Sequence, residues 1–205
     1  VTLHEVLAGK ANAHDAIYEG PAGVKVVPSG ISLQGFQQAN PELLRDVLKD
    51  LVNVCDFLLI DAPAGISRDG IVPLAVADDV ILIVNPELSS IVDALKTKIL
   101  TEVVGGHVFG VIINRAGIDK SEVMTQKMEK VLGVRVLGTV PEDPNIRKAA
   151  SYKTPVVIKF PSSPASVAFR NLAGEIAGIP IEQRAGKSQE RFIERSSKVL
   201  FRGKK

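Results

Sequence analysis

The stretch Phe57–Gly65, "FLLIDAPAG", joins an apolar run to a single carboxylate. Four apolar residues lead into Asp61, and Pro63 and Gly65 follow it closely. A short apolar run bounded by turn-forming residues is typical of a strand buried on both faces of a parallel sheet. Because open parallel sheets bind ligands beyond the carboxyl ends of their strands, we predict a strand over Phe57–Asp61 that carries Asp61 to a ligand-binding edge.

Similar apolar runs alternate with helical patterns along the chain, as in βαβ units. The fold class we expect is therefore α/β, with a mostly parallel sheet covered by helices on both faces. The further predicted strands are Val24–Pro28, Val80–Val84, Val108–Asn114 and Val134–Val140. The predicted helices are Pro41–Val54, Ser67–Ala77, Ser89–Val104 and Ser121–Leu132, together with a short helix after Thr2.

Composition limits the class of protein. With 205 residues and 45% hydrophobic residues, the chain suffices for one sizeable α/β domain. A net charge of +2 does not by itself indicate a nucleic-acid partner. The lone Cys55 excludes an internal disulfide, a four-cysteine zinc site and an iron–sulfur ligand set within these residues, and it favours a reducing cytoplasm. Neither a membrane-spanning run nor a secretory leader is recognisable, and Val1 leads us to expect a fragment, or a processed or mispredicted start.

Asp61 fits the acid that holds the water shell of a nucleotide-bound magnesium ion. Polar residues also close three later runs, at Asn85–Glu87, Asn114–Arg115 and Pro141–Asp143. One polar strand end is normally where a strand meets water, but several on one sheet favour a shared ligand site. The phosphate-binding pattern G-x-x-x-x-G-K-[ST] has no match, because Phe36 and Gln37 follow the nearest candidate, "GISLQG".

Five segments in this order resemble MinD-type cell-division ATPases of the MinD/ParA P-loop group, the archaeal members most of all: "GVKVVPSGISL", "FLLIDAPAGISRD", "ADDVILIVNPELSSIVDALKT", "GVIINRAG" and "LGTVPEDPNIRKAA". The resemblance implies that Asp61 is the Walker B acid, which contacts Mg²⁺ through water. It also implies a switch II of Ala62, Pro63, Ala64 and Gly65. Asn114 would hydrogen-bond the adenine beside Arg115, and a loop would close over the base, formed by Pro141, Glu142 and Asp143. The face toward a regulatory or effector protein would comprise Asn85, Pro86, Glu87, Ser89, Ser90 and Asp93.

The resemblance also implies ATP or ADP with Mg²⁺ as cofactors and an ATP-dependent homodimer in the intact form. Members of the family begin with a strand, a K-G-G-x-G-K-T phosphate loop and its helix, followed by a second strand and a switch I loop. None of these is found in the 205 residues. By position, Val1 falls just after them. We therefore expect roughly two βα units to be missing, and a chain that is inactive alone.

The composition becomes polar and basic from Glu182, so we predict an α/β domain over 1–181 and a tail over 182–205. On a helix, Phe192, Ile193, Val199 and Leu200 share one side, and Phe201 lies off it. Basic residues gather on a flank: Arg191, Arg195, Lys198 and Arg202. This pattern predicts a helix that binds an anionic membrane surface, with a solvated basic tail as the alternative. The expected location is cytoplasmic and peripherally membrane-associated.

Three functions stay open at this point. The leading one is a MinD-like ATPase of cell-division site placement or spatial organisation. The second is a non-catalytic module that binds a membrane and a partner protein. The third is a ParA-like DNA-partitioning ATPase, which would need basic residues on the folded domain and would lose affinity steeply with salt. Because the basic cluster recognised in the sequence lies in the tail, nucleic acid is not the expected partner.

Overall fold

The structure, a computed structural model, describes residues 1–30, 38–63, 68–117 and 121–179. Within these ranges, no helix combines the length and the apolar character needed to cross a membrane. The chain forms two compact units. The first comprises the described residues of Val1–Ile112 and Glu122–Val136, and the second comprises those of Ile113–Ser121 and 137–179.

The described strands are β1 (Tyr18–Glu19), β2 (Lys25–Val26), β3 (Val80–Val84), β4 (Val108–Ala116) and β5 (Val136–Pro141). The described α-helices of the first unit are α1 (Leu3–Leu7), α2 (Leu44–Leu51), α3 (Arg68–Val76), α4 (Leu88–Val103) and α5 (Ser121–Leu132). Those of the second unit are α6 (Pro144–Ser151), α7 (Val156–Lys159) and α8 (Pro164–Ile176).

The main sheet has the strand order β3-β4-β5. Helix α4 connects β3 to β4, and α5 connects β4 to β5. Strands joined by such helical crossovers run parallel, so the expected α/β fold with a parallel sheet is confirmed. The core of the sheet is apolar, and Val84, Val111, Ile113 and Val140 are fully buried, whereas Ile83 of β3 is 59% exposed.

A second apolar cluster lies within the first unit, where α1 and α2 pack together. Its buried members are Val6, Leu7, Ala13, Ala16, Leu44, Val47 and Leu51. The predicted short helix after Thr2 is confirmed as α1, which begins with a capping box. The backbone N–H of Thr2 donates to the Glu5 carboxylate at 2.7 Å, and this bond lowers the pKa of Glu5.

Two of the predicted strands are wrong. The stretch Phe57–Asp61 is not a strand, and none of its backbone groups is hydrogen-bonded to a backbone group elsewhere in the described ranges. Phe57 is 59% exposed and Leu59 is 84% exposed. In place of Val24–Pro28 there is only β2, which pairs antiparallel with β1. An apolar run becomes a strand only when another strand lies beside it to pair its N–H and C=O groups.

The other predicted elements are found with shifted ends. Strand β3 has the predicted bounds, β4 continues to Ala116, and β5 begins at Val136 rather than Val134. The predicted helix Pro41–Val54 is an α-helix, α2, with a short 3₁₀ turn at each end. The remaining predicted helices are found as α3, α4 and α5, each within a residue of the predicted start where that start is described, whereas α6, α7 and α8 were not predicted.

Candidate nucleotide-binding site

The end of β4 and the loop after β5 lie side by side in the second unit. The backbone N–H of Glu142 donates to the Ala116 carbonyl oxygen at 3.2 Å. This hydrogen bond places the predicted base-closing loop, Pro141–Asp143, next to the strand that carries Asn114 and Arg115. The structure therefore brings together the five residues predicted to lie around an adenine, and their roles toward a nucleotide stay predictions.

The side chain of Asp143 is used inside the protein. It is only 5% exposed, and it accepts hydrogen bonds from the backbone N–H groups of Asn145 at 2.8 Å and Ala165 at 3.1 Å. The bond from Asn145 is the main cause that lowers the pKa of Asp143, against the opposing effect of burial. Asp143 thus holds the loop in place, and the loop can meet a ligand through Pro141, Glu142 and backbone groups.

This capping role was recognisable in the sequence. Asp143 is followed by Pro144, and an acidic residue before a proline is a strong signal for the start of a helix, with the acid as N-cap and the proline in the first turn. The resemblance of "PED" to the MinD motif led instead to the prediction that this loop closes over a base. The reach of Asp143 to Ala165, 22 positions away, had no sequence signal.

Two guanidinium groups surround the exposed carboxylate of Glu142. Arg115 Nε lies 3.9 Å from Glu142 Oε2, and Arg147 Nη2 lies 3.7 Å from Oε1. Exposed ion pairs of this length contribute little to stability, so all three side chains can turn toward a ligand. Arg147 was not among the residues predicted from the sequence, although it lies one turn after the loop.

Arg115 also has an uncommon backbone conformation, with a φ of 54°. Residues other than glycine rarely adopt positive φ, and where they do they often lie at ligand sites. The conformation occurs near the end of β4, just before the loop contact made by Ala116. The backbone conformation of Arg115 is therefore one that the surrounding structure must hold in place at this strand end.

Asp61 belongs to the first unit and is exposed, as are Ala62 and Pro63. Ala64 and Gly65 of the predicted switch II lie outside the described residues. Among the described residues, no group of three His, Cys, Asp or Glu could hold a metal ion. A magnesium ion that arrives with a nucleotide needs only one or two carboxylates, because phosphates and water complete its shell. The single carboxylate of Asp61 fits this kind of binding and not a metal site built by protein alone.

The predicted partner face lies where β3 meets α4 in the first unit. Helix α4 begins at Leu88, one residue before the predicted start at Ser89, with Glu87 as its N-cap. The backbone N–H of Asn85 donates to Ser90 Oγ at 3.0 Å, which closes the turn. Glu87, Ser89 and Asp93 are exposed, and Pro86 is half-buried.

The predicted membrane residues all lie outside the described part of the chain: Phe192, Ile193, Arg195, Lys198, Val199, Leu200, Phe201 and Arg202. The domain boundary at residue 182 lies there too. Both stay predictions.

Known proteins give this arrangement a context. The ParA family model, described as NUBPL iron-transfer P-loop NTPase, matches residues 37–177. An uncharacterized ATP-binding protein of Methanocaldococcus jannaschii is 46% identical over 201 residues, which cover 98% of this chain and 76% of that protein. The crystal structure of the cell division ATPase MinD from Pyrococcus furiosus is similar with a TM-score of 0.79 and 35% identity, covering 88% of this chain and 76% of that one. MinD from Pyrococcus horikoshii, solved with Mg-ADP, has a TM-score of 0.77 and 34% identity, covering 86% and 73%.

Proposed function

Because the chain belongs to the ParA family of P-loop NTPases, we propose that it is a MinD-type ATPase component that binds the base side of an adenine nucleotide. The observation that carries this proposal is the loop Pro141–Asp143, held beside the end of β4 by the bond from Glu142 to Ala116. The similarity to a MinD solved with Mg-ADP supports the choice of nucleotide. The biological role we propose is cell-division site placement or another form of spatial organisation.

The residues of this chain would act on the nucleotide in distinct ways. Asn114 would hydrogen-bond the adenine, and Pro141 would cover it from the loop that Asp143 holds. Arg115, which lies close to Glu142, would line the adenine side of the nucleotide site. Asp61 would hold a water of the magnesium shell. When bound, Mg²⁺ and ATP supply the neutralised phosphate chain and the anhydride bond that is hydrolysed.

Hydrolysis by these 205 residues alone should be negligible. Catalysis of phosphoryl transfer depends on backbone amides and a lysine around the phosphates, and the sequence has no match to the loop that provides them. We expect weak binding of a fluorescent ADP analogue, weakened about tenfold by Asn114→Ala through the lost hydrogen bond. Asn53→Ala, at an exposed position of the first unit, is the matched control.

Two results would contradict this part of the proposal. Magnesium-dependent phosphate release at the rate of an intact MinD would show that the phosphate loop is not needed. Equal affinities of the Asn114 and Asn53 variants for the ADP analogue would show that the adenine does not bind at β4.

We further propose that the intact protein is cytoplasmic and binds the membrane peripherally as an ATP-dependent dimer. The tail over 182–205 would be the membrane element, and Asn85–Asp93 would meet a regulatory or effector protein. Co-sedimentation with vesicles, with and without ATP, separates this function from its main alternative. Binding that ignores ATP would favour a non-catalytic module that joins a membrane to a partner protein.

A ParA-like DNA-partitioning ATPase is the second alternative, and one observation favours it. Exposed cations that were not predicted from the sequence occur among the described residues of the second unit: Arg147, Lys148, Lys153, Lys159 and Arg170. A DNA-binding protein would lose affinity steeply as salt increases, and titration of a double-stranded oligonucleotide at two salt concentrations tests for this.

A further inference from the structure

The chain from Pro144 to Gly174 has a one-sided charge. It contains five cations, Arg147, Lys148, Lys153, Lys159 and Arg170, and no Asp or Glu. All five are exposed in the structure. Arg147 lies near Glu142, and the Arg170 guanidinium donates to the Pro161 carbonyl oxygen at 2.6 Å. The three lysines surround the end of α6.

Apolar side chains lie among these lysines. Tyr152, the residue at which α6 ends, is 61% exposed, and Ile158 on α7 is 46% exposed. Lys159 Nζ lies 4.4 Å from the centre of the Tyr152 ring, so the end of α7 is held against the end of α6. We name these five residues the basic patch: Lys148, Tyr152, Lys153, Ile158 and Lys159.

We propose that the basic patch is a second membrane-contact surface, one that docks on anionic lipid headgroups. The inference rests on the proposed membrane association of the tail and adds a site among the described residues of the second unit. Three lysines attract the negative surface of a bilayer, while Tyr152 and Ile158 enter the interface between headgroups and acyl chains.

The exposed apolar pair is the reason to choose a lipid surface over a nucleic acid. Phosphate contacts on DNA are made by cationic and polar groups. An exposed isoleucine among them would add no binding free energy, because the sugar–phosphate backbone of DNA is hydrated. At a membrane interface the same isoleucine leaves water, and tyrosine is one of the residues enriched at this depth. The absence of carboxylates from 144–174 means that no residue of this segment opposes the attraction.

The position of the basic patch explains how it would assist the tail. Helix α7 packs on α8, and the chain continues from the end of α8 to the basic segment that begins at 182. A single interfacial helix binds membranes marginally, whereas two linked contacts gain from effective concentration. The basic patch would also set which side of the folded unit faces the bilayer.

The test uses the full chain and vesicles of phosphatidylcholine with or without phosphatidylglycerol. The triple variant Lys148→Gln/Lys153→Gln/Lys159→Gln should weaken partitioning onto anionic vesicles by about fivefold for each lysine, hence roughly 100-fold in all. The matched control is Lys49→Gln/Lys127→Gln/Lys130→Gln, which changes the net charge equally at exposed positions of the first unit. Circular dichroism verifies that both variants are folded.

A tail variant, Phe192→Ser/Leu200→Ser, separates this inference from the proposed function. If the tail variant loses binding while the triple variant binds as well as its control, the tail function stands and the basic patch is overturned. If the triple variant loses binding and the tail variant does not, the basic patch stands and the tail is rejected. A full chain that binds no anionic vesicle overturns both.

Two further measurements test the chemistry of the basic patch. Tyr152→Ser/Ile158→Ser should weaken vesicle binding several-fold at high salt, where the charge attraction is screened. A triple variant that loses affinity for a double-stranded oligonucleotide but keeps its vesicle binding would identify a nucleic-acid surface and overturn the membrane assignment.

Discussion

The carboxylate of Asp143 accepts a hydrogen bond from the backbone N–H of Ala165 at 3.1 Å, across 22 positions of sequence. Its other oxygen accepts from the N–H of Asn145 at 2.8 Å. One side chain therefore caps α6 and also satisfies a backbone donor at the start of α8. Since both helices begin with unpaired N–H groups, this shared acid fixes the loop after β5 relative to the two helices.

Replacement of Asp143 should destabilise the protein measurably. Asp143→Ala removes the acceptor for two backbone N–H groups, that of part-buried Asn145 and that of buried Ala165, so we expect the melting temperature to fall by roughly 5 °C. Asp143→Asn keeps one acceptor oxygen and should lose less. Thermal unfolding by circular dichroism measures both, with Asp93→Ala on the exposed face of α4 as the control. Equal melting temperatures for the Asp143 and Asp93 variants would contradict the double cap.

Lowering the pH should destabilise the wild-type protein in part, as replacement of Asp143 does. The folded pKa of Asp143 is lowered from its ordinary value of 3.8 by the bonds it accepts. The unfolded chain therefore binds the proton more tightly, and protonation favours unfolding. The contribution of Asp143 is complete above pH 3.8 and is lost as the pH falls through the lower folded value. Unfolding by urea between pH 5 and pH 2 should show a smaller pH dependence for Asp143→Asn.

The ion pairs of Glu142 should matter little for stability. Glu142→Gln breaks two long, exposed contacts to Arg115 and Arg147, so the free energy of unfolding should change by less than about 1 kcal/mol. Urea unfolding measures this. A loss as large as that of Asp143→Ala would mean that the pairs are closer and drier than the structure has them.

The exposure of Phe57–Ile60 can be tested by truncation. Leu59→Ala should change the free energy of unfolding by no more than about 0.5 kcal/mol, because Leu59 is 84% exposed. Ile113→Ala, in the fully buried centre of β4, should cost roughly 2–5 kcal/mol. Similar losses at the two positions would show that the stretch around Leu59 is packed in solution.

Gly106 should tolerate no side chain. A Cβ at this position would lie 2.7 Å from the Leu74 carbonyl oxygen and 2.9 Å from Thr101 Cγ2, and backbone cannot move aside cheaply. Gly106→Ala should therefore cost about 1–3 kcal/mol. Gly117→Ala is the control, because a Cβ there meets no atom within 4 Å. Equal unfolding free energies of the two variants would place Gly106 farther from α3.

The ends of strands β4 and β5 show which parts of the candidate site could be predicted from the sequence. The alternation of apolar runs and helical periods predicted β3, β4 and β5, and the polar residues that close β4 and β5 do lie together in the second unit. Arg147 was missed because its approach to Glu142 depends on how α6 leaves the loop. The double cap by Asp143 was missed because Ala165 reaches it only through the packing of α7 and α8.

The sequence by itself determined the family, strands β3, β4 and β5 and helices α1 to α5, because periodicity depends on residues a few positions apart. Tertiary structure alone decided whether an apolar run became a strand. Phe57–Ile60 is as apolar as β3, yet it forms no ladder, because strand hydrogen bonds need a second backbone at the right distance. Tertiary structure also decided the grouping of the lysines around Tyr152. The net charge of +2 gives no sign of this group, because the lysines come together only where the ends of α6 and α7 meet.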